Sequence, residues 1–156
     1  EQTQLFLSSM MFIGASPSSV GGGIRTTTFA IMLLTIWNYA KGNSSVKVFG
    51  REIHQEDMLR SFIVITTALM LCVGSIIVLN TTEPFSLMEI IFEVTSAFGT
   101  TGLSMGITPE LSTFGKCLIM CLMFIGRIGL FTFLFIIRGD DTKDRFHYPT
   151  ERVIIG

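Results

Sequence analysis

Two stretches of this chain offer main-chain rather than side-chain chemistry. Gly99-Thr100-Thr101-Gly102-Leu103-Ser104 joins small and hydroxyl residues to two glycines, and Gly14-Ala15-Ser16-Pro17-Ser18-Ser19-Val20-Gly21-Gly22-Gly23 concentrates four glycines, three serines and a proline. Without an adjacent base their hydroxyls are not activated to attack carbonyls. These residue types interrupt helical pairing, and carbonyl oxygens freed in that way can replace the hydration shell of a small cation. Arg25 and Thr26-Thr27-Thr28 follow the second stretch directly, a cationic head and three hydroxyls suited to bonding its carbonyls and holding it closed. Arg127 is a lone charge in an otherwise apolar run.

Other chemistries lack their residues. His54 and His147 are isolated in polar stretches, and Cys72, Cys117 and Cys121 fit no zinc or CxxC spacing. No Ser/His/Asp or Cys/His constellation and no metal-ligand set is present, so the reading is not an enzyme and no bound cofactor is expected. Gly21-Gly22-Gly23-Ile24-Arg25-Thr26 lacks the Gly-Lys of a phosphate loop and follows no strand. A net charge of -1 leaves no nucleic-acid signature, while 49% hydrophobic against 15% charged residues points to an integral membrane protein.

The elements that must position the two stretches follow from bilayer dimensions. Residues 61–79 and 117–137 are long apolar runs, each near the roughly 20 residues of a membrane span. Between them, residues 85–98 read as a helix of about 21 Å, too short for a hydrocarbon core of about 30 Å. Residues 99–104 then form a turn. A span, a half-crossing helix, a Gly/Thr turn and a second span is the layout of a re-entrant pore element, with non-helical backbone tolerated because it lines a wet cavity. The half-helix aims the negative end of its dipole at the turn, which favours a cation.

Residues Leu5 to Ala40 would measure about 54 Å as one helix, far more than a crossing requires, so the helix breaks at 14–23 and that loop points at the same cavity. The expected fold is therefore all-α integral membrane. Residues 1–40 form a broken span with an intramembrane Gly/Ser loop at 14–23. Residues 61–137 form a complete repeat made of span 61–79, pore helix 85–98, filter 99–104 and span 117–137.

Lys41, Lys47, Arg51 and Arg60 in the 41–60 loop, and Arg138, Lys143, Arg145 and Arg152 in the 138–156 tail, place both on the cytoplasmic side of a multi-pass cell-membrane protein. The opposite side carries Glu83, Glu89, Glu93 and Glu110, which would concentrate cations at an entrance. Arg127, costing about 2.5–3.5 kcal/mol at mid-membrane, should face water or protein, with loop carbonyls or Glu93 as partners, and would act as a barrier in a cation pathway. Met11-Phe12-Ile13-Gly14 recurs as Met123-Phe124-Ile125-Gly126, which suggests that two repeats meet in this chain. The start at Glu1, inside a continuing segment, suggests the end of a longer polypeptide.

Thr100-Thr101-Gly102-Leu103 resembles the Thr-Val-Gly-Tyr part of potassium-channel filters. With Phe12 to Thr28, Ser96 to Ser104 and Arg127, the chain resembles the C-terminal part of a potassium-uptake membrane subunit of the Trk/Ktr/HKT superfamily, most like its KtrB members. The resemblance implies four span/pore-helix/span repeats around one pore, this chain supplying the end of the third and all of the fourth. It implies potassium translocation, with filter residues Gly99, Thr100, Thr101, Gly102 and Leu103, a gate at Gly14–Gly23 with Arg25 and Thr26–Thr28, and Arg127 as barrier. It also implies a homodimer on a cytoplasmic ring of nucleotide-binding regulatory subunits, embedded in lipid, with sodium dependence left open. Ser104 stands where a full channel filter has its second glycine, and Arg25 where many relatives have lysine. The alternative is a secondary transporter that binds an anionic solute at broken helices through Arg25 and Arg127.

Overall fold

A computed structural model describes residues 2–14, 16, 21–42, 47–48, 51–130 and 132. Among these lie five helices, α1 (Gln2–Phe12), α2 (Thr26–Ala40), α3 (Gln55–Thr82), α4 (Leu87–Gly99) and α5 (Thr113–Ile128), and two short strands, β1 (Lys47–Val48) and β2 (Arg51–Glu52). The strands pair antiparallel with Lys47 opposite Glu52 and Val48 opposite Arg51. The architecture is helical, and α3 is the one described helix long and apolar enough to cross a membrane.

The boundaries of α3, α4 and α5 have local causes. α3 runs 28 residues, about 42 Å, from an acidic first turn at Glu56 and Asp57 to Glu83, where Pro84 forbids a helical predecessor. It therefore extends past the expected 61–79 at both ends. α4 begins at a capping box: Ser86 Oγ accepts the Glu89 N–H at 3.4 Å, and Ser86 N–H donates to Glu89 Oε2 at 2.9 Å. Its 13 residues measure about 20 Å and end one residue beyond the expected 85–98, so Gly99 closes the helix. α5 starts at Thr113, four residues before the expected 117, because Ser112 Oγ caps Gly115 N–H at 3.1 Å, and it ends before Gly129 at φ 88°. Residues 133–137 and the tail lie outside the described residues.

α4 is the centre of the packing and contacts α1, α3 and α5. Ile90, Val94, Ala97 and Phe98 are fully enclosed, joined by Ile65, Ala68, Cys72 and Leu79 of α3 and by Ile119 and Leu122 of α5. The buried positions of α3, Ser61, Ile65, Ala68, Cys72, Ser75 and Leu79, recur at helical spacing along one face. Its other face exposes Ile63, Leu69, Met70, Val73 and Ile77, and a helix apolar on every side needs lipid or further protein around it. The serines of the inner face are satisfied within the helix, Ser61 Oγ donating to Asp57 O at 2.8 Å and Ser75 Oγ to Leu71 O at 2.7 Å.

Candidate functional site

The site is built where α4 ends. Thr100, the residue after the helix, takes the left-handed conformation at φ 51°, ψ 36°. Thr100 N–H donates to Ala97 O at 3.2 Å and Thr101 N–H to Ser96 O at 3.1 Å, the bond pair of a Schellman ending. Glycine or asparagine normally fills that position, and a β-branched residue there costs about 1–2 kcal/mol. Thr100 has a compensating contact, since its Oγ1 accepts the N–H of Gly22 at 2.9 Å.

The segment that brings Gly22 there is the far end of the helix break. Gly23 N–H donates to Gly126 O at 3.3 Å, and Ile24 N–H to Phe12 O at 3.4 Å. Four pieces of chain thus meet with almost no side chains between them. A β-carbon on Gly126 would overlap Phe98 O, one on Gly99 would overlap Met11 O, and one on Gly14 would overlap Gly22 O. One on Gly22 would lie 2.7 Å from Thr100 Oγ1 and 2.9 Å from Gly126 O. The close approach requires glycine at each contact. Phe12 and Phe98 close the apolar side, their rings 5.8 Å apart.

Beyond Thr100 the chain leaves regular structure and turns back along α4 as an irregular strand of chain. Thr101, Gly102, Leu103 and Ser104 are exposed, with Gly102 at φ 76°. Two buried α4 side chains, one helical turn apart, hold this strand. Ser96 Oγ donates to Leu103 O and lies 3.1 Å from Thr101 Oγ1. Ser104 Oγ donates to Glu93 Oε2 at 2.9 Å, Thr108 Oγ1 donates to Glu93 Oε1, and Gly106 N–H donates to Ser104 Oγ at 3.0 Å. Glu93 is only 5% exposed.

The structure therefore brings together Gly99, Thr100, Gly14, Gly22 and Gly23 from the two stretches singled out in the sequence. Thr101, Gly102 and Leu103 continue away from that junction, and Gly21 and Ser16 are exposed. Arg25 precedes α2 without a side-chain capping bond, Thr26, Thr27 and Thr28 form the first turn of α2, and Arg127 lies exposed in the last turn of α5. Ala15, Pro17, Ser18, Ser19 and Val20 lie outside the described residues.

Sequence reasoning missed the main-chain partners of the loop, Phe12 O and Gly126 O. The Met-Phe-Ile-Gly echo was the available signal, since its two glycines, Gly14 and Gly126, both sit in the junction. Two of the four outer glutamates also differ from expectation. Glu93 is buried behind the strand, and Glu83, 8% exposed, accepts Ser112 N–H at 3.1 Å and the Ser112 hydroxyl. Neither is the solvated surface charge that a short polar segment suggests.

Comparison with known proteins supplies the family. Residues 1–142 match the TrkH family, described as cation transport protein. The chain is 56% identical, over all of its length, to Ktr system potassium uptake protein D of Bacillus subtilis, covering 35% of that protein. It is 40% identical over its whole length to Ktr system potassium uptake protein B of the same organism, again covering 35%. It is 39% identical over 94% of its length to the potassium/sodium uptake protein NtpJ of Enterococcus hirae, covering 34%. The chain thus spans about a third of the length of these curated relatives. Matched along nearly its entire length, the chain belongs to the TrkH family of cation transport proteins.

Proposed function

We propose that this chain forms one complete and one partial wall of a potassium-conducting pore. α3, α4 and α5 act as span, re-entrant pore helix and span, and Gly99 to Leu103 act as filter. The observation that carries the reading is the end of α4. A 13-residue helix, buried along its second half, stops inside the fold and hands over to an exposed, irregular segment. Its dipole favours positive charge at that end, and main-chain oxygens there can exchange for hydration water. The names of the relatives, potassium uptake and potassium/sodium uptake proteins, support the same cargo.

The break between α1 and α2 is the gate in this reading. The Gly22–Ile24 end docks under the filter through Thr100, and residues 14–23 swing or yield to let a dehydrated ion pass. Arg127 supplies a positive barrier on the same side. The 41–60 loop and the tail face the cytoplasm, where the term Ktr system in the relatives' names supports partner subunits, read here as a homodimer of membrane chains on a nucleotide-binding ring. Sodium acts as a competing or supporting ion, in keeping with the name of the Enterococcus relative. The anion-carrier alternative is the weaker reading, because the helix that ends at the filter, α4, presents its C-terminus there.

The test is made on the intact transport protein that carries this sequence. Deleting residues 15–20 raises potassium flux at least several-fold, and unchanged or lost flux in a stably inserted protein removes the gate. Gly102→Ser lowers the preference for potassium over sodium. No heavy atom lies within 4 Å of the added β-carbon, so the effect comes from the φ of 76° that serine disfavours.

A further inference from the structure

The strand after α4 is held by contacts that bury almost nothing apolar. Leu103 is 51% exposed and Ser104 is exposed, yet each is tied to a side chain at most 5% exposed, Ser96 or Glu93. Ser96 reaches both sides of Gly102, through the Thr101 hydroxyl at 3.1 Å and through the Leu103 carbonyl. Glu93, three residues earlier on the same face of α4, bonds the Ser104 and Thr108 hydroxyls with its two carboxylate oxygens. The strand is thereby fixed at two heights along one rigid helix. Among the described residues no buried side-chain nitrogen or oxygen lacks a hydrogen-bond partner, so each buried polar atom of the tether has one.

Placing a carboxylate inside an apolar helix pack is costly and needs a return. Simple strand attachment does not require it, because apolar side chains at the same positions would hold a loop by burial. What a two-point polar tether adds is a fixed orientation for the peptide units between the points. A filter separates ions by where its oxygens are held and how far they yield.

We propose that Glu93 and Ser96 are positioning residues for cation selection, acting from behind the strand through Ser104, Thr108, Thr101 and Leu103 and never touching the ion. The proposal rests on the filter reading of Gly99 to Leu103. Loosening either tether lets the oxygens follow a smaller ion inward, so discrimination falls while conduction survives. Glu93→Gln keeps the volume but leaves a single carbonyl oxygen to accept two hydroxyls. Ser96→Ala removes the other tether, and Ser96→Thr restores a hydroxyl at that position.

The experiment measures uptake of potassium, rubidium and sodium by the intact transporter in cells or proteoliposomes, normalised to inserted protein. Glu93→Gln and Ser96→Ala are each expected to reduce the potassium-to-sodium ratio about tenfold, the change that about 1.4 kcal/mol produces. Ser96→Thr recovers most of the Ser96→Ala loss. Where Glu93→Gln inserts poorly, Ser104→Ala reports on the same tether from an exposed position, and the ratio falls there too. Wild-type ratios in Ser96→Ala and in Glu93→Gln or Ser104→Ala overturn the proposal. Gly102→Ser, run beside them, distinguishes the two failures. If it alone shifts the ratio, the filter stands and the tether falls, and if it too leaves the ratio unmoved, the filter reading falls first.

Discussion

Thr100 concentrates two opposed effects in one side chain. Its left-handed backbone costs about 1–2 kcal/mol, and its hydroxyl gives Gly22 N–H a partner at 2.9 Å. Thr100→Val keeps the shape and the strain but orphans the amide, so it should destabilise the solubilised protein by about 1–3 kcal/mol. Thr100→Gly loses the same bond while relieving the strain, and it should be the milder change. Thermal midpoints in detergent decide the matter, and a glycine variant less stable than the valine variant would refute the argument. None of this was legible in the sequence, because threonine gives no signal for a left-handed turn. Gly126 was half legible: the Met-Phe-Ile-Gly echo marked it, but only the fold reveals that its missing side chain makes room for Phe98. Glu93 was read as an entrance carboxylate or a partner for Arg127, and its bonds to Ser104 and Thr108 stay hidden until the segment that folds back over it is known.

At the scale of elements, the order of long helix, short helix, extended turn and helix was readable from apolar run lengths alone. Most boundaries were not, since caps set them. Ser112 moves the start of α5 to Thr113, ahead of the apolar run, whereas the polar His54–Asp57 stretch already marked the opening of α3 at Gln55. Glu83 shows how one cap joins two elements. It ends α3, and its carboxylate accepts Ser112 N–H and hydroxyl at the first turn of α5, where negative charge meets the positive end of the dipole. Glu83→Gln keeps an acceptor and loses the charge, for an expected cost of about 0.5–1 kcal/mol that shrinks in high salt. Glu83→Ala also leaves the Ser112 N–H unpaired and should cost about 1–3 kcal/mol. Denaturation midpoints of the two variants at low and high salt test the ranking. Equal losses, insensitive to salt, would mean that the carboxylate serves packing rather than the helix end.

The molecule as a whole presents apolar side chains outward on α2, α3 and α5, among them Ile36, Met70 and Phe124, while its polar tethers lie inside. α2 buries none of its 15 residues, and it ends in Trp37, Tyr39 and Lys41, with the Lys41 ammonium 4.9 Å from the indole centroid, a combination that suits a membrane–water boundary. In the proposed topology the end of α2 and the start of α3 lie at one boundary. α3, about 42 Å long against a core of about 30 Å, carries the chain to the other. In that topology the cationic residues of the 41–60 segment mark the cytoplasmic side. Cysteines introduced at Glu56 and Thr81, both exposed, with Cys117 and Cys121 replaced by serine, should therefore differ in sidedness. A membrane-impermeant maleimide added to intact cells labels Thr81→Cys, and it labels Glu56→Cys only in inverted vesicles. Labelling of both from one face would mean that α3 does not cross, and the short α4 beside it would then have no bilayer in which to be a half-crossing.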